Sequence, residues 1–173
     1  MGSVRIEGRA GLLGGLFLAA LTLRPQLVGI GPLLPRVERD LGVSHAVAGL
    51  LASVPVLCMG LFAPPAAYVV AWIGTRRAIA SCLGLIATAG LARALTPDAI
   101  SVVLLTVPIG VGMGLAGAIL PVLVKERFAD RPASATGIYA AGINVGSALS
   151  AALAVPLAVL AGGWRGTLLI FSA

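Results

Sequence analysis

The sequence predicts an all-α membrane protein of six transmembrane segments, set out as two related groups of three. Three observations lead there. Hydrophobic types make up 59% of the 173 residues and charged types 10%, with a mean hydropathy of +1.07; a soluble domain carries about 25% charged residues. The apolar residues fall in runs long enough to cross a hydrocarbon core of ~30 Å at ~1.5 Å per residue. A short motif also recurs at the same interval as the runs. So few charges cannot cover a surface that water must wet, which excludes an ordinary soluble enzyme, a disordered chain and a nucleic-acid binder.

Five full spans are expected, over residues 11–34, 46–73, 78–95, 100–124 and 134–160, and a sixth begins at Trp164. Arg5 and Arg9 ahead of the first run resemble the basic flank of a signal peptide, but the run continues past Leu23 and four more follow, so a retained span is expected. Cys58 and Cys82 lie in apolar stretches without a metal or redox motif, and no cofactor is expected. The net charge of +6 reflects topology rather than nucleic acid. Arg5, Arg9, Arg76, Arg77, Lys125, Arg127 and Arg131 fall on one side, while Arg36, Arg39 and Arg165 fall on the other. The richer side is the cytoplasmic one, which places residues 1–10 inside the cell.

Gly31-Pro32-Leu33-Leu34-Pro35 leaves the first span and Gly117-Ala118-Ile119-Leu120-Pro121 leaves the fourth, 86 residues on. The same shift carries Ala78, at the start of the third span, onto Trp164. Three spans followed by three related spans start on opposite sides of the membrane, because three is odd. That is the inverted-repeat plan of secondary transporters. The repeats are expected over 11–95 and 96–173. A sixth span as long as the third would run past Ala173, so the sequence is expected to be a piece of a longer chain.

Arg24 lies near the middle of the first span. A midplane arginine costs ~2.5–3.5 kcal/mol on insertion scales, and here snorkelling to either face is hard. Glu7, Glu38, Asp40, Asp98, Glu126 and Asp130 all lie outside the five full spans, so no carboxylate is at hand to neutralise it. Pro25, Gly29, Gly31 and Pro32 loosen the same helix. A guanidinium on a kinked helix suits a bound anion, because its planar fork meets carboxylate-like oxygens two at a time. Its alternative role is capping carbonyls of a broken neighbour. Asn144, with Ser147 and Gly137 on its face, is a second candidate for the solute, and equally for an interhelical hydrogen bond. Gln26 joins the candidates if Pro25 distorts the helix. Tyr139 reads as packing. Gly110, Gly114 and Gly117 are expected to let the fourth helix approach a neighbour closely. Pro55, Pro64, Pro65, Pro108 and Pro121 are candidate kinks.

Together these residues resemble the N-terminal half of a major facilitator superfamily transporter. Leu23-Arg24-Pro25 with Val28-Gly29-Ile30-Gly31-Pro32-Leu33-Leu34, and the run Leu120-Pro121-Val122-Leu123-Val124-Lys125-Glu126-Arg127-Phe128, resemble the first-helix and fourth-helix exits of the cyanate and 2-nitroimidazole transporter family. Thr136-Gly137-Ile138-Tyr139, Asn144-Val145-Gly146 and Gly163-Trp164-Arg165 fit it too. In the loop between the second and third spans only Gly74, Arg76 and Arg77 match the superfamily's gating pattern; Ala71 and Trp72 stand where its Asp and Arg would be. The resemblance implies a multi-pass protein of a bacterial inner membrane with its N-terminus in the cytoplasm. It implies two six-helix halves rocking about a midplane site, where Arg24, Asn144 and Gln26 hold a small anionic or polar, cyanate-like solute. The partners implied are that solute, the lipid bilayer and the C-terminal six-helix half, with no nucleic acid. Rival readings are a drug exporter on the same scaffold, a membrane-embedded enzyme and a non-transporting membrane scaffold. The enzyme needs clustered His, Asp or Cys at membrane depth, and the one histidine, His45, stands alone at a helix start.

Overall fold

Inside a bilayer every backbone N–H and C=O must find a partner within the chain, so long apolar runs become helices. The computed structural model describes residues 3–172, with side chains from residue 11 to 172. The expected cytoplasmic stretch 1–10, with Arg5 and Arg9, lies outside the described side chains. Every regular element among the described residues is helical, and five stretches are long and apolar enough to cross a membrane: Gly11–Leu41, His45–Phe62, Thr75–Leu95, Ala99–Arg127 and Pro132–Leu160. A sixth helix starts at Trp164.

The first span is interrupted. It consists of α1 (Ser3–Leu21), α2 (Pro25–Val28), a 3₁₀ turn (Gly31–Leu33) and α3 (Leu34–Leu41). Pro25, Pro32 and Pro35 each stand in the first positions of a new segment. Proline lacks the N–H that would continue the ladder and crowds the carbonyl four residues back, but it tolerates a helix start. The second span, expected as one helix, divides at residues 63–65 into α4 (His45–Phe62) and α5 (Ala66–Ile73), where Pro64 and Pro65 fall. Ser44 caps α4 by accepting from the N–H of Val47 at 3.4 Å. Gly74, at φ +79°, turns α5 into α6 (Thr75–Leu95), a conformation with little strain for glycine alone. Asp98 caps α7 (Ala99–Leu104), which breaks at Leu105, three residues before Pro108, and continues as α8 (Thr106–Arg127). By contrast Pro55 and Pro121 sit inside unbroken α4 and α8. The chain ends in α9 (Pro132–Leu160) and α10 (Trp164–Ser172), joined by Gly162 and Gly163 at positive φ.

The helices pack crosswise between the two groups of three. α1 lies on α9, α8 lies between α4 and α6, and α10 packs on α6, α9 and α2. So the first helix of each expected group rests on the second helix of the other. Glycines make both contacts close. A Cβ on Gly110 would stand 2.7 Å from Cβ of Cys58, and one on Gly114 2.8 Å from Cα of Met59. Gly142 and Gly146 meet the carbonyls of Phe17 and Leu21 in the same way. Gly117, expected among these packing glycines, faces open space; Gly112, turned toward Ile86 and Cys82, makes the contact instead.

Two apolar clusters fill the bundle. One holds Leu16, Leu23, Ile86, Ala89, Met113 and Leu120. The other holds Ile30, Val37, Ala94, Val102, Ala154 and Leu168. Along each helix, buried polar side chains fall between or next to them: Gln26 after Leu23, Arg93 after Ala89, Thr106 after Val102, Ser150 before Ala154. The middle of an apolar bundle is where such groups cost most, so their partners decide what they are for.

Candidate functional site

Arg24 stands at the first break of span one. The hydroxyl of Thr22 folds back on α1, donating to the carbonyls of Leu18 and Ala19 at 3.2 Å each. Pro25 then restarts the chain as α2. Arg24, between the two segments, has φ −107° and ψ −14°. Its side chain is half-buried, and among the described residues no hydrogen bond or ion pair reaches it. Its Nε is buried with no partner. Tyr139, a half-buried side chain of α9, packs against the cluster that holds Leu23. Arg24 is therefore a guanidinium at membrane depth that is not consumed by capping carbonyls.

Gln26, expected beside Arg24 as a binding group, is a packing group instead. It is 1% exposed. Its Nε2 donates to Oγ of Ser172 at 2.6 Å and to the carbonyl of Leu168 at 3.2 Å, and its Oε1 accepts from Arg93 at 2.6 Å. With its amide engaged on both sides by α6 and α10, it has nothing left for a solute.

Asn144 is also displaced from the expected constellation. Gly142 and Gly146 face α1, and Asn144, two residues from each, lies on the opposite side of α9. It is exposed, and its Nδ2 donates to the carbonyl of Ala140 in its own helix at 2.9 Å. Within this chain Arg24 and Asn144 do not share a lining. Tyr139, three residues before Gly142, lies on the α1 side of α9, against the cluster that holds Leu16 and Leu23.

Arg93 is the residue that sequence reasoning missed. It sits two residues before the end of α6 and is fully buried. One terminal nitrogen donates to the backbone carbonyl of Gln26 at 3.0 Å and to its side-chain oxygen at 2.6 Å, while Nε and the other terminal nitrogen are buried without partners. Gly90, one turn earlier, makes room: a Cβ there would lie 2.6 Å from Oγ of Ser172 and 2.7 Å from Nε2 of Gln26. The signal was present in the sequence. Ile86, Gly90 and Arg93 recur at helical spacing, so an arginine shares the face that packs.

At the arginine-rich end, the hydroxyl of Thr75 donates to Glu126 at 3.1 Å and ties the start of α6 to the end of α8. Arg76 and Arg127 border a groove of 440 Å³ floored by Gly15, Ile79, Leu120 and Leu123. Arg77 points to the exterior. Gly74, Arg76 and Arg77 thus form a turn and two exposed cations at one end of the bundle, away from Arg24.

Residues 12–173 match the family described as the Major Facilitator Superfamily. The chain is 35% identical over 153 residues to a cyanate transport protein of Escherichia coli (strain K12), covering 88% of this chain and 40% of that protein. It is 35% identical over 164 residues to a 2-nitroimidazole transporter of the same organism, covering 95% of this chain and 42% of that protein. An uncharacterized transporter of Bacillus subtilis (strain 168) is 28% identical over 161 residues, covering 92% and 40%. The chain thus spans about two fifths of the length of the curated relatives it matches.

Proposed function

Since the chain belongs to the Major Facilitator Superfamily, we propose that it forms the N-terminal six-helix half of a secondary transporter that carries a small anionic or polar solute across a bacterial inner membrane, with its N-terminus in the cytoplasm. The observation that carries this reading is Arg24: a mid-span guanidinium, half-buried, with a buried Nε and no partner among the described residues. A structural arginine at that depth would be expected to hold carbonyls or a carboxylate, as Arg93 holds Gln26. Arg24 holds neither, which leaves its fork for a guest that comes and goes. Cyanate, the solute named for one relative, is a small anion of suitable charge; the nitro group of 2-nitroimidazole, named for another, offers two acceptor oxygens to the same fork.

The reading extends to Tyr139, half-buried on the α1 side of α9 against the cluster that holds Leu23, as a second group whose hydroxyl donates to a solute held by Arg24. Asn144, on the opposite face of α9, would reach a solute only from the side that the second six-helix half covers. Alternating access then follows from the rocking of the two halves, with the breaks in span one giving the binding helix its own joint. The test is uptake of labelled cyanate by cells or vesicles carrying the intact transporter. Arg24→Ala is expected to reduce uptake roughly a hundredfold, the scale of one charge-assisted pair, with normal insertion. Arg24→Lys is expected to restore only part, because charge returns without the fork. Undiminished uptake by Arg24→Ala would remove the assignment.

A further inference from the structure

At the far end of α3 an open hollow of 370 Å³ is lined by Arg36, Arg39, Asp40, Gly163 and Trp164. The sequence builds it in two moves. Leu33 and Val37 are fully buried, and this anchors α3 with Arg36, Arg39 and Asp40 turned toward the hollow. Gly162 and Gly163, at φ +73° and +140°, then swing the chain into α10 and leave the rim without a side chain; nothing lies within 4 Å of where a Cβ of Gly163 would stand.

The charges in the hollow are unequal. Asp40 is the one acid of the lining, and its Oδ2 already accepts from Nε1 of Trp164 at 3.0 Å and from Arg165 at 3.3 Å. Arg165 is held there: it also donates to the carbonyl of Thr96, and its guanidinium lies 4.5 Å from the centre of the Trp164 ring. Its charge offsets that of Asp40. Among the described residues Arg39 uses only Nε, on the carbonyl of Pro35 at 3.0 Å. Arg36 is half-buried and has no hydrogen bond or ion pair among the described residues. Two forks thus remain to face an open space whose carboxylate is already matched.

The hollow also lies at a particular depth. The first span is 31 residues long from Gly11 to Leu41, whereas about 20 cross the hydrocarbon. Arg36 to Asp40 therefore emerge into the headgroup layer, the zone where tryptophan and arginine side chains settle at a membrane surface. We propose that this hollow is a binding site for a phosphate-type oxyanion, either the headgroup phosphate of an anionic phospholipid or a free oxyanion from the water phase. Arg36 and Arg39 are its ligands and Trp164 is its wall. Phosphate oxygens suit paired guanidinium forks. The site is separate from Arg24, and it stands or falls without the transport reading.

The experiment uses the intact transporter in discs of pure phosphatidylcholine or of phosphatidylcholine with phosphatidylglycerol. Native mass spectrometry counts the phosphatidylglycerol retained. In the pure phosphatidylcholine discs, the Trp164 emission, taken as the difference from a Trp164→Phe variant, follows titration with inorganic phosphate. A headgroup site predicts one retained phosphatidylglycerol that the Arg36→Gln/Arg39→Gln variant loses and an Arg76→Gln variant keeps, with no response to phosphate. A free-oxyanion site predicts a saturable Trp164 response that the double glutamine variant weakens roughly tenfold or more. Arg36→Lys/Arg39→Lys, which keeps charge and loses the forks, is expected to fall between, and it decides the matter should the glutamine variant fail to fold. Equal lipid retention in every variant together with a Trp164 signal indifferent to phosphate would overturn the proposal.

Discussion

Arg93 and Arg24 both lie within apolar spans, and the bundle treats them in opposite ways. Arg93 is fully buried on α6 and holds both oxygens of Gln26, which in turn holds Ser172 and the carbonyl of Leu168 on α10. Three spans meet at that knot. Arg24 lies two residues from Gln26 on the same interrupted span, half-buried and held by nothing among the described residues. The difference teaches how to separate structure from function at membrane depth. A charge with a fixed internal partner is part of the packing, and a charge without one is kept available. Nearness in sequence does not decide it: Gln26 serves the knot, and Arg24 does not.

The largest effect that could break this contrast is on stability. Arg93→Ala should remove roughly 3 kcal/mol or more, because it strands the buried oxygens of Gln26 and leaves a cavity beside Gly90. Unfolding of the purified intact protein in mild detergent measures it. Arg24→Ala should change the same transition by less than about 1 kcal/mol, since no hydrogen bond or ion pair among the described residues is lost. Equal losses for the two would erase the distinction.

A smaller effect sharpens it. Gln26→Leu should cost about 2 kcal/mol, by leaving Arg93 and Ser172 without their acceptor and donor. Combined with Arg93→Met, the loss should shrink, because an apolar pair of similar volume has no orphaned polar group. A double-mutant cycle reads this directly. Strict additivity of the two losses would mean that the knot is not a unit.

The span count, the helical class and the start of the sixth helix at Trp164 were legible in the sequence, because length and hydropathy are one-dimensional quantities. Arg24 was legible for the same reason: a charge in the middle of an apolar run stands out. Arg93 was not, since an arginine two residues from a span end reads as a side chain that snorkels to the surface. The inward face of α9 was also hard to read. A span that is apolar all round gives no moment to say which side meets its neighbours, so Asn144 was grouped with Arg24 on polarity alone. The pair Gly142 and Gly146 carried the missing information, since small residues four apart mark where helices touch, and the structure sets them on Phe17 and Leu21. The outward turn of Gly117 was illegible for a related reason: one glycine says that a contact is allowed, not that one is made.

The smallest effect concerns Tyr139. Its ring packs against the apolar cluster that holds Leu23 and Leu16. Tyr139→Phe keeps the ring and removes only the hydroxyl, so unfolding should shift by less than about 1 kcal/mol. If the hydroxyl donates to a solute held by Arg24, the half-saturating concentration for uptake should rise about tenfold, the worth of one hydrogen bond to a charged group. The maximal rate should stay unchanged, because binding lost equally from the resting and moving states leaves the moving step alone. The same substitution made on top of Arg24→Lys should do less, since the ammonium holds the solute without the fork that sets it against the ring. A rise confined to the unaltered Arg24 background would join the two residues in one site. No rise in either background would leave Tyr139 as packing and the solute to Arg24 alone.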